Sequence, residues 1–357
     1  MKKLALSLLI VTLLLLFACT KEEGIHHEYS VDNIILVVGD GMGTVHEQVA
    51  REYLGGPLAW DDFPYQGEMV TTSLSYPSPT GSDAAMTAMS TGVKTRNTYL
   101  GMDQDRNPLK HFYQYAIEAG LKTGVVVTDN LYGATPAGAI VTETMRFETR
   151  KIETNQLKSG VDLLIGADPN EDYQRHLQLI EEQGYYYTQN IEDSFDPDKL
   201  LLLPYSIDAE ENKNAYSTPF LPLVELSLNF LSTDNEHGFF LLVEGAKIDH
   251  YSHSNNPDFV YELIDMHYVV LMIMEWVKSH PNTLVIVTAD HETGGLSIDN
   301  NDGSVSILER LSWSTGGHTN DNVNYYVYAD SCALCKPLID NTDIHFIMRS
   351  YLPRKEE

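Results

Sequence analysis

One stretch of the sequence, residues 239–253, constrains the fold more than any other. It begins with an apolar run, Phe239 to Val243, of the kind that forms a buried strand. Two carboxylates and two histidines follow within ten residues: Glu244, Asp249, His250 and His253. A satisfied salt bridge in a polar loop explains any one of them alone. Charged groups at the end of a buried strand are costly unless paired or bound to metal, so the group together indicates a ligand site.

Three other apolar runs, residues 33–38, 122–128 and 283–288, are also followed by polar side chains that can bind metal. After them come Asp40 in a glycine-rich turn, Thr135, and Asp290 with His291, while His318 lies between glycine and threonine further on. The turn at Asp40 is not the G-x-G-x-x-G pattern of dinucleotide sites. Strands that alternate with helical patterns predict an α/β fold, with a mostly parallel central sheet and helices on both faces. Ligands then gather at the carboxyl edge.

A serine stands where a helix is predicted to begin. Small residues and good helix formers run from Asp83 to Met89, and Gly92 ends the run. Ser82 therefore lies at the helix N-terminus, where a serine is most often an N-cap. The same position directs free N–H groups at an anion, so Ser82 is also a candidate nucleophile toward phosphorus.

Residues from about 171 to 235 differ from the rest in being polar, rich in aromatic residues and poorly periodic. We interpret them as an insertion over the carboxyl edge of the sheet, within a single domain of residues 31–357. A separate domain is the alternative, but the segment is small for a core of its own.

The N-terminus predicts export. Residues 1–18 combine two lysines with a short apolar run, which is typical of a signal peptide. Leu16-Phe17-Ala18-Cys19 resembles a bacterial lipobox, so Cys19 is the predicted lipidation site and residues 19–30 a tether. The alternative is an ordinary signal peptide that ends near a cysteine. The lipoprotein interpretation places the protein outside the cytoplasm, lipid-anchored in the bacterial cell envelope on its periplasmic or outer side.

The formal net charge of −28 argues against nucleic-acid binding and is compatible with bound cations. Cys332 and Cys335 remain besides Cys19. In an exported chain this pair favours a local disulfide, because a metal site needs more soft ligands.

Six motifs in order resemble the alkaline phosphatase family, from about residue 31 to 328. They are Gly39-Asp40-Gly41-Met42-Gly43, Ser82 with Ser90-Thr91-Gly92, Ala134-Thr135-Pro136-Ala137, Glu244-Gly245-Ala246 with Ile248-Asp249, Thr288-Ala289-Asp290-His291, and Gly317-His318-Thr319. The resemblance implies phosphate monoester hydrolysis through a phosphoserine at Ser82, with two Zn²⁺ and one Mg²⁺. Two metals ~4 Å apart can hold the attacking and leaving oxygens of such a displacement.

The resemblance also implies a role for each ligand. Asp249, His253 and His318 match the zinc that activates water. Asp40, Asp290 and His291 match the zinc beside the serine, and Asp40, Thr135 and Glu244 match the magnesium site. Arg146 matches the phosphate-binding arginine, with Arg150 as its rival, and its planar fork suits two phosphoryl oxygens.

Several positions depart from the family pattern. Gly133 stands where an aspartate or histidine is common near the magnesium, and His250 stands where some members have a lysine that faces phosphate. Asp83 follows the serine instead of preceding it, which leaves Thr80 as a rival nucleophile.

The motifs are also compatible with competing functions. They are phosphodiester or sulfate ester hydrolysis by a superfamily relative, and a non-enzymatic lipoprotein that binds metal or phosphate. Sulfatases need a Pro-x-Arg pattern after the modified residue, and Ser82-Asp83-Ala84-Ala85 lacks it. Family members are often dimers, so a homodimer is compatible with the resemblance.

Overall fold

The computed structural model describes residues 30–142, 144–191, 197–204, 207, 219–299 and 305–353. The predicted signal peptide, the lipidation site Cys19 and all but the last residue of the tether lie outside the described residues. Within the part of the chain that is described, no helix is long and apolar enough to span a bilayer.

Ten of the described strands form one sheet, with β13 antiparallel to both of its neighbours and every other adjacent pair parallel. The predicted mostly parallel sheet is therefore confirmed. The strands are β1 (Asn33–Gly39), β2 (Tyr65–Val70), β3 (Tyr99–Leu100), β4 (Lys122–Asn130), β5 (Thr144–Met145), β6 (Leu163–Ala167), β7 (Tyr186–Thr188), β8 (Leu200–Leu202), β9 (Phe239–Gly245), β10 (Thr283–Ala289), β11 (Leu296–Ile298), β12 (Leu311–Trp313), β13 (Val323–Tyr328) and β14 (Leu338–Asp340). The order in the large sheet is β14-β2-β13-β10-β1-β9-β4-β6-β8-β7, and β3 with β5 and β11 with β12 form two small sheets.

The first strand occupies the middle of the sheet. β1 lies between β10 and β9, with Asn33 paired to Thr283 and Ile34 paired to Phe240. Every residue of these three strands is buried. Their Val, Ile and Leu side chains leave no polar face, so both faces of the sheet must be covered.

Two groups of helices cover the sheet. The described helices are α1 (Thr44–Leu54), α2 (Ser82–Thr91), α3 (Phe112–Glu118), α4 (Ala134–Ile140), α5 (Thr149–Leu157), α6 (Leu177–Glu182), α7 (Phe220–Ser232), α8 (Lys247–His253), α9 (Phe259–Val277) and α10 (Asn341–Tyr351). In one group α1, α7 and α8 pack on the long helix α9, and in the other α4 and α10 pack on α2.

Two local predictions differ from the structure. An extended segment is predicted over residues 67–76, but β2 ends at Val70, and the amide of Tyr76 closes a turn on the carbonyl of Ser73. The sequence pattern also predicts a last strand over residues 325–328, which corresponds to β13, but β14 and α10 follow it. These two elements pack on β2 and α2, which are distant in sequence, and the local pattern alone did not predict them.

The segment interpreted as an insertion contributes regular structure in its described part. It carries β7, β8 and α7, and β8 continues the main sheet beside β6. Outside this segment, the two cysteines predicted to pair, Cys332 and Cys335, form a disulfide.

Candidate active site

Neighbouring parallel strands bring the predicted ligands to one edge of the sheet. The carboxyl ends of β10, β1, β9 and β4 lie side by side. Asp40 follows β1, Glu244 is the penultimate residue of β9, and Asp290 follows β10. The next helices, α4 and α8, carry Thr135 and Asp249. Residues far apart in the sequence therefore meet at one place.

Asp249, His253 and His318 form the first candidate metal set, with one ligand atom of each within 4.8 Å of the others. Asp249 and His253 are four residues apart in α8 and share a helix face. The two histidine Nε2 atoms are 3.1 Å apart. Nδ1 of His253 donates to the carbonyl of Gly316, and Nδ1 of His318 to that of Thr80, both at 2.7 Å. Because a carbonyl can only accept, Nδ1 of each ring carries a proton, and Nε2 of each ring, which faces Asp249, is the atom left to bind a metal.

The second set joins Asp40, Asp249 and His291, again with ligand atoms within 4.8 Å. Nε2 of His291 is 3.2 Å from Oδ2 of Asp290 and 3.5 Å from Oδ1 of Asp40. The three residues predicted for this set are therefore together, and Asp249 lies beside them. The rings of His291 and His318 stack with centroids 3.6 Å apart, so the two sets adjoin.

Buried oxygen atoms without hydrogen bonds mark the same region. Oδ1 of Asp40, Oγ1 of Thr135 and Oδ2 of Asp290 are buried and accept or donate no hydrogen bond among the described residues. Buried polar atoms are normally satisfied, and oxygen ligands are those that Mg²⁺ prefers. The donor atoms therefore fit divalent cations, with Asp40, Thr135 and Glu244 as an oxygen-only set.

The carboxylates strongly perturb one another. Burial, together with the charges of Asp290, Asp249 and Glu244, raises the pKa of Asp40 well above its usual range. Burial also raises the pKa of Glu244. Burial opposes ionisation of Asp249, but the hydrogen bond from His253 and the nearby histidines lower its pKa, and the same bond raises the pKa of His253 to about 9. Bound cations would relieve the repulsion among these groups.

Ser82 is buried at the first position of α2, as predicted, and Gly92 ends the helix with φ +73°. Its Oγ lies 3.1 Å from Nε2 of His291, which is in the second metal set. The rival nucleophile Thr80 directs its hydroxyl to the carbonyl of Gly81. The geometry therefore favours Ser82 as the group that faces the ligands.

Arg146 reaches the serine helix through an ion pair. Its Nη1 is 2.8 Å from Oδ2 of the buried Asp83, and Oδ1 of Asp83 accepts hydrogen bonds from the amides of Ala84 and Thr98. The carboxylate is thus fixed by the backbone and holds the guanidinium beside Ser82.

A cavity of about 230 Å³ opens over Ser82. Arg146 and His250 line it, together with Asp129 and the exposed ring of Phe147. Nε2 of His250 is 3.5 Å from Oδ2 of Asp129. Among the described residues, none from the 171–235 segment contributes to its wall.

Comparison with known proteins agrees with this geometry. The family model described as alkaline phosphatase matches residues 31–167 and 195–312, which is more than half of the chain.

The chain belongs to the alkaline phosphatase family.

Named relatives lie at moderate identity. Alkaline phosphatase 3 of Bacillus subtilis is 29% identical over 79% of this chain and 65% of the relative. Alkaline phosphatase 4 of the same organism is 30% identical over 76% of this chain and 63% of the relative. The chain thus spans a little under two thirds of the length of these two relatives.

The fold also matches solved structures of alkaline phosphatases. A mutant of the enzyme from the Antarctic bacterium TAB5 superimposes with a TM-score of 0.80 at 27% identity, covering 90% of this chain and 98% of that one.

Three residues at this site were not predicted from the sequence. The sequence places Asp83 beside Ser82, but it does not predict the ion pair of Asp83 with Arg146. Asp129 precedes the Thr135 motif, and its proximity to His250 depends on the pairing of β4 with β9. Thr293 follows His291 by two residues and hydrogen-bonds to Asp249. Only its place in the Asp290-His291 motif could have indicated it.

Proposed function

We propose that this protein hydrolyses phosphate monoesters to an alcohol and inorganic phosphate. The observation that carries the proposal is the position of Ser82, whose Oγ is 3.1 Å from His291 and whose cavity also contains Arg146. A nucleophile, metal-ligating side chains and a phosphate-binding cation thus face one space. The named relatives, all alkaline phosphatases, support the same activity.

We assign two Zn²⁺ and one Mg²⁺ to the three donor sets. The mixed Asp and His sets suit zinc, with Asp249, His253 and His318 in one and Asp40, Asp290 and His291 in the other. Asp40, Thr135 and Glu244 suit magnesium, and the TAB5 mutant is described with Mg bound in its M3 site. When bound, these ions would lower the pKa of the serine hydroxyl and of water, and would stabilise charge on the phosphoryl oxygens.

The reaction proceeds in two displacements. Ser82 Oγ forms a bond to phosphorus while the bond from phosphorus to the ester oxygen breaks. The serine proton goes to solvent, and the departing alkoxide takes one up. Water then adds to the phosphoserine, and Oγ departs and regains its proton as phosphate forms.

The chain orients the phosphoryl group through these steps. The guanidinium of Arg146 can donate two parallel hydrogen bonds to phosphoryl oxygens. The start of α2 adds the positive end of the helix dipole at Ser82. His250 lies on the cavity wall and is assigned to substrate binding.

The experiment that tests the reaction replaces Ser82 with alanine. We expect turnover of p-nitrophenyl phosphate to fall by about a thousandfold or more, because the attacking atom is lost. Metal content should stay unchanged, since Ser82 is not assigned as a ligand. Ser227→Ala is the matched control, because it removes a buried hydroxyl from α7 that, among the described residues, donates to the carbonyl of Leu223 within the same helix. An undiminished rate in Ser82→Ala contradicts the covalent route.

A substrate comparison separates the monoester proposal from the alternatives. We expect p-nitrophenyl phosphate to be cleaved much faster than bis-p-nitrophenyl phosphate or p-nitrophenyl sulfate, and chelator to abolish the activity. Preference for the diester or the sulfate contradicts the monoester assignment, and inactivity toward all three supports a binding protein.

We further propose that the protein is exported and lipid-anchored through Cys19 in the bacterial cell envelope. Residues 1–18 would be the signal peptide, 19–30 a tether, and 31–357 the phosphatase domain with an insertion at about 171–235. We also propose a homodimer, because members of the family are often dimers. Labelled palmitate should be incorporated into the wild-type protein but not into Cys19→Ala, and mass measurement by light scattering would give the oligomeric state.

A further inference from the structure

Thr293 is a fully buried residue between the two candidate zinc sets. Its Oγ1 is 2.5 Å from Oδ1 of Asp249, a ligand of the first set. The same oxygen is 3.2 Å from Nδ1 of His291, a ligand of the second. We propose that Thr293 is a positioning residue that joins the two metal sets and makes binding at one depend on the other.

The donors and acceptors allow one assignment. A threonine hydroxyl carries a single hydrogen and can also accept, whereas an ionised carboxylate can only accept. The hydroxyl therefore donates to Asp249, and Nδ1–H of His291 donates to the hydroxyl oxygen. His291 then carries a proton on Nδ1, and its Nε2, which faces Asp40, Asp290 and Ser82, is the nitrogen left to bind a metal.

The backbone around Thr293 holds the hydroxyl in this place. The amide of Thr293 donates to the carbonyl of Gly41 at 3.2 Å, next to Asp40. Thr293 also forms an isolated antiparallel bridge with His318. The residue is thus attached to the chain segments that supply ligands to both sets, and a shift of either segment is transmitted to the hydroxyl.

Removal of the hydroxyl should affect both sets together. Oδ1 of Asp249 would lose its donor, and Nδ1 of His291 would lose the acceptor that selects its tautomer. Loss of a group that orients a metal-ligating histidine typically costs about 10- to 100-fold in metal affinity. This inference depends on the proposed metal roles of Asp249 and His291.

The test is a Zn²⁺ titration of full-length protein from which metal has been removed, with binding measured by isothermal titration calorimetry. Thr293→Val keeps the shape but removes the hydroxyl, and Thr293→Ser restores it. Thr95→Val is the matched control, because Thr95 is buried and its hydroxyl has no hydrogen-bond partner among the described residues. We expect Thr293→Val to weaken Zn²⁺ binding about tenfold or more at two sites, and Thr293→Ser and Thr95→Val to bind within about twofold of wild type.

The outcomes separate this inference from the proposed function. Wild-type protein that binds no Zn²⁺ overturns both. Wild-type binding of two ions, with equal binding by Thr293→Val, overturns the inference alone. So does weakening at one site only, or a Thr293→Ser variant as weak as Thr293→Val.

A second measurement needs no substitution at Thr293. Nitrogen-15 spectra of the metal-free wild-type protein report which ring nitrogen of His291 carries the proton, and His291→Gln identifies the signal. We expect the proton on Nδ1. An Nδ1 atom without a proton overturns the inference even if Thr293→Val fails to fold.

Discussion

At the scale of single residues, the position of Arg146 in this site depends on its ion pair with Asp83. Asp83 accepts two backbone hydrogen bonds through one oxygen and binds Arg146 through the other. Its carboxylate is 1% exposed, whereas the Arg146 side chain is 35% exposed and so remains accessible to a ligand. The pair therefore acts as a fixed support for the arginine that we propose binds phosphate.

Asp83→Asn should weaken phosphate binding. Asparagine keeps an acceptor for the two amides, but its NH₂ group would face the Arg146 guanidinium, and the arginine would lose its support. A charge-assisted hydrogen bond contributes roughly 1.5–3 kcal/mol, so the inhibition constant for inorganic phosphate should rise about tenfold. We expect KM to rise more than kcat falls. Asp103→Asn in an exposed turn serves as the control, and an unchanged inhibition constant contradicts the support role.

The residues of the site were predictable to different degrees. Asp40, Ser82, Asp290 and His291 stand in specific motifs, and the structure brings them together. Thr293 has no comparable signal, because a threonine two residues after a histidine is common. Its role depends on Asp249, which lies 44 residues earlier and reaches it only through folding.

At the scale of the elements, the turn after β1 depends on Gly41. Its φ is +73°, and a Cβ atom there would lie 2.9 Å from Cα and Cβ of Asp249 and from Oγ1 of Thr293. Glycine is therefore needed for both the backbone conformation and the close approach of α8.

Gly41→Ala should reduce metal binding and stability together. Gly55→Ala is a closely matched control, since Gly55 has φ +71° but open space around a Cβ. The strained backbone should lower the free energy of unfolding of both variants by about 1–3 kcal/mol. Only Gly41→Ala should also lose Zn²⁺ affinity, measured by titration, because it pushes Asp249 away. Equal Zn²⁺ affinity in both variants contradicts the argument.

Two buried histidines support the serine helix α2. Nδ1 of His345 donates to the carbonyl of Ser90 at 2.9 Å, and Nδ1 of His111 lies 3.1 Å from the hydroxyl of Ser90. Burial lowers the pKa of each imidazole to about 4. In the unfolded chain the pKa is about 6.5, so below that pH the unfolded state binds more protons and the folded state is destabilised.

Stability should therefore fall as the pH drops from 7 to 5. Each of these histidines should remove on the order of 2 kcal/mol of unfolding free energy over this range, measured by urea denaturation. His345→Gln has no proton to gain and should reduce the loss by about that amount for one site. The same loss in His345→Gln and wild type would show that His345 does not take part.

The sequence predicted the elements with strong local patterns better than those fixed by distant contacts. The strands β1, β9 and β10 were recognisable because each is an unbroken apolar run. The apolar residues that follow Asn256-Pro257 repeat at helical spacing and predict the long helix α9. β2 is largely exposed along one face and ends earlier than predicted. Its length is set by pairing with β13 and β14, which no local pattern reports.

At the scale of the whole molecule, the site concentrates buried negative charge in a protein whose formal net charge is −28. Asp40, Glu244, Asp249 and Asp290 are all buried at one edge of the sheet. Cations that bind only the folded state add stability, about 2.7 kcal/mol at a concentration of 100 Kd.

Removal of metal should therefore lower the thermal midpoint by several degrees, and added Zn²⁺ and Mg²⁺ should restore it. Differential scanning calorimetry before and after chelation measures the change. Asp40→Asn, which weakens ligation in two of the donor sets, should show a smaller response. A midpoint that chelation leaves unchanged contradicts a structural contribution of the cations.

The central position of β1 has a consequence for synthesis. Asn33 lies 250 residues ahead of Thr283, its neighbour across the sheet, and Ile34 is likewise joined to Phe240 on the other side. The ribosome therefore synthesises this apolar strand long before either flanking strand exists. Until then the nascent chain must be shielded from aggregation, and the candidate site can be completed only after nearly the entire polypeptide has emerged.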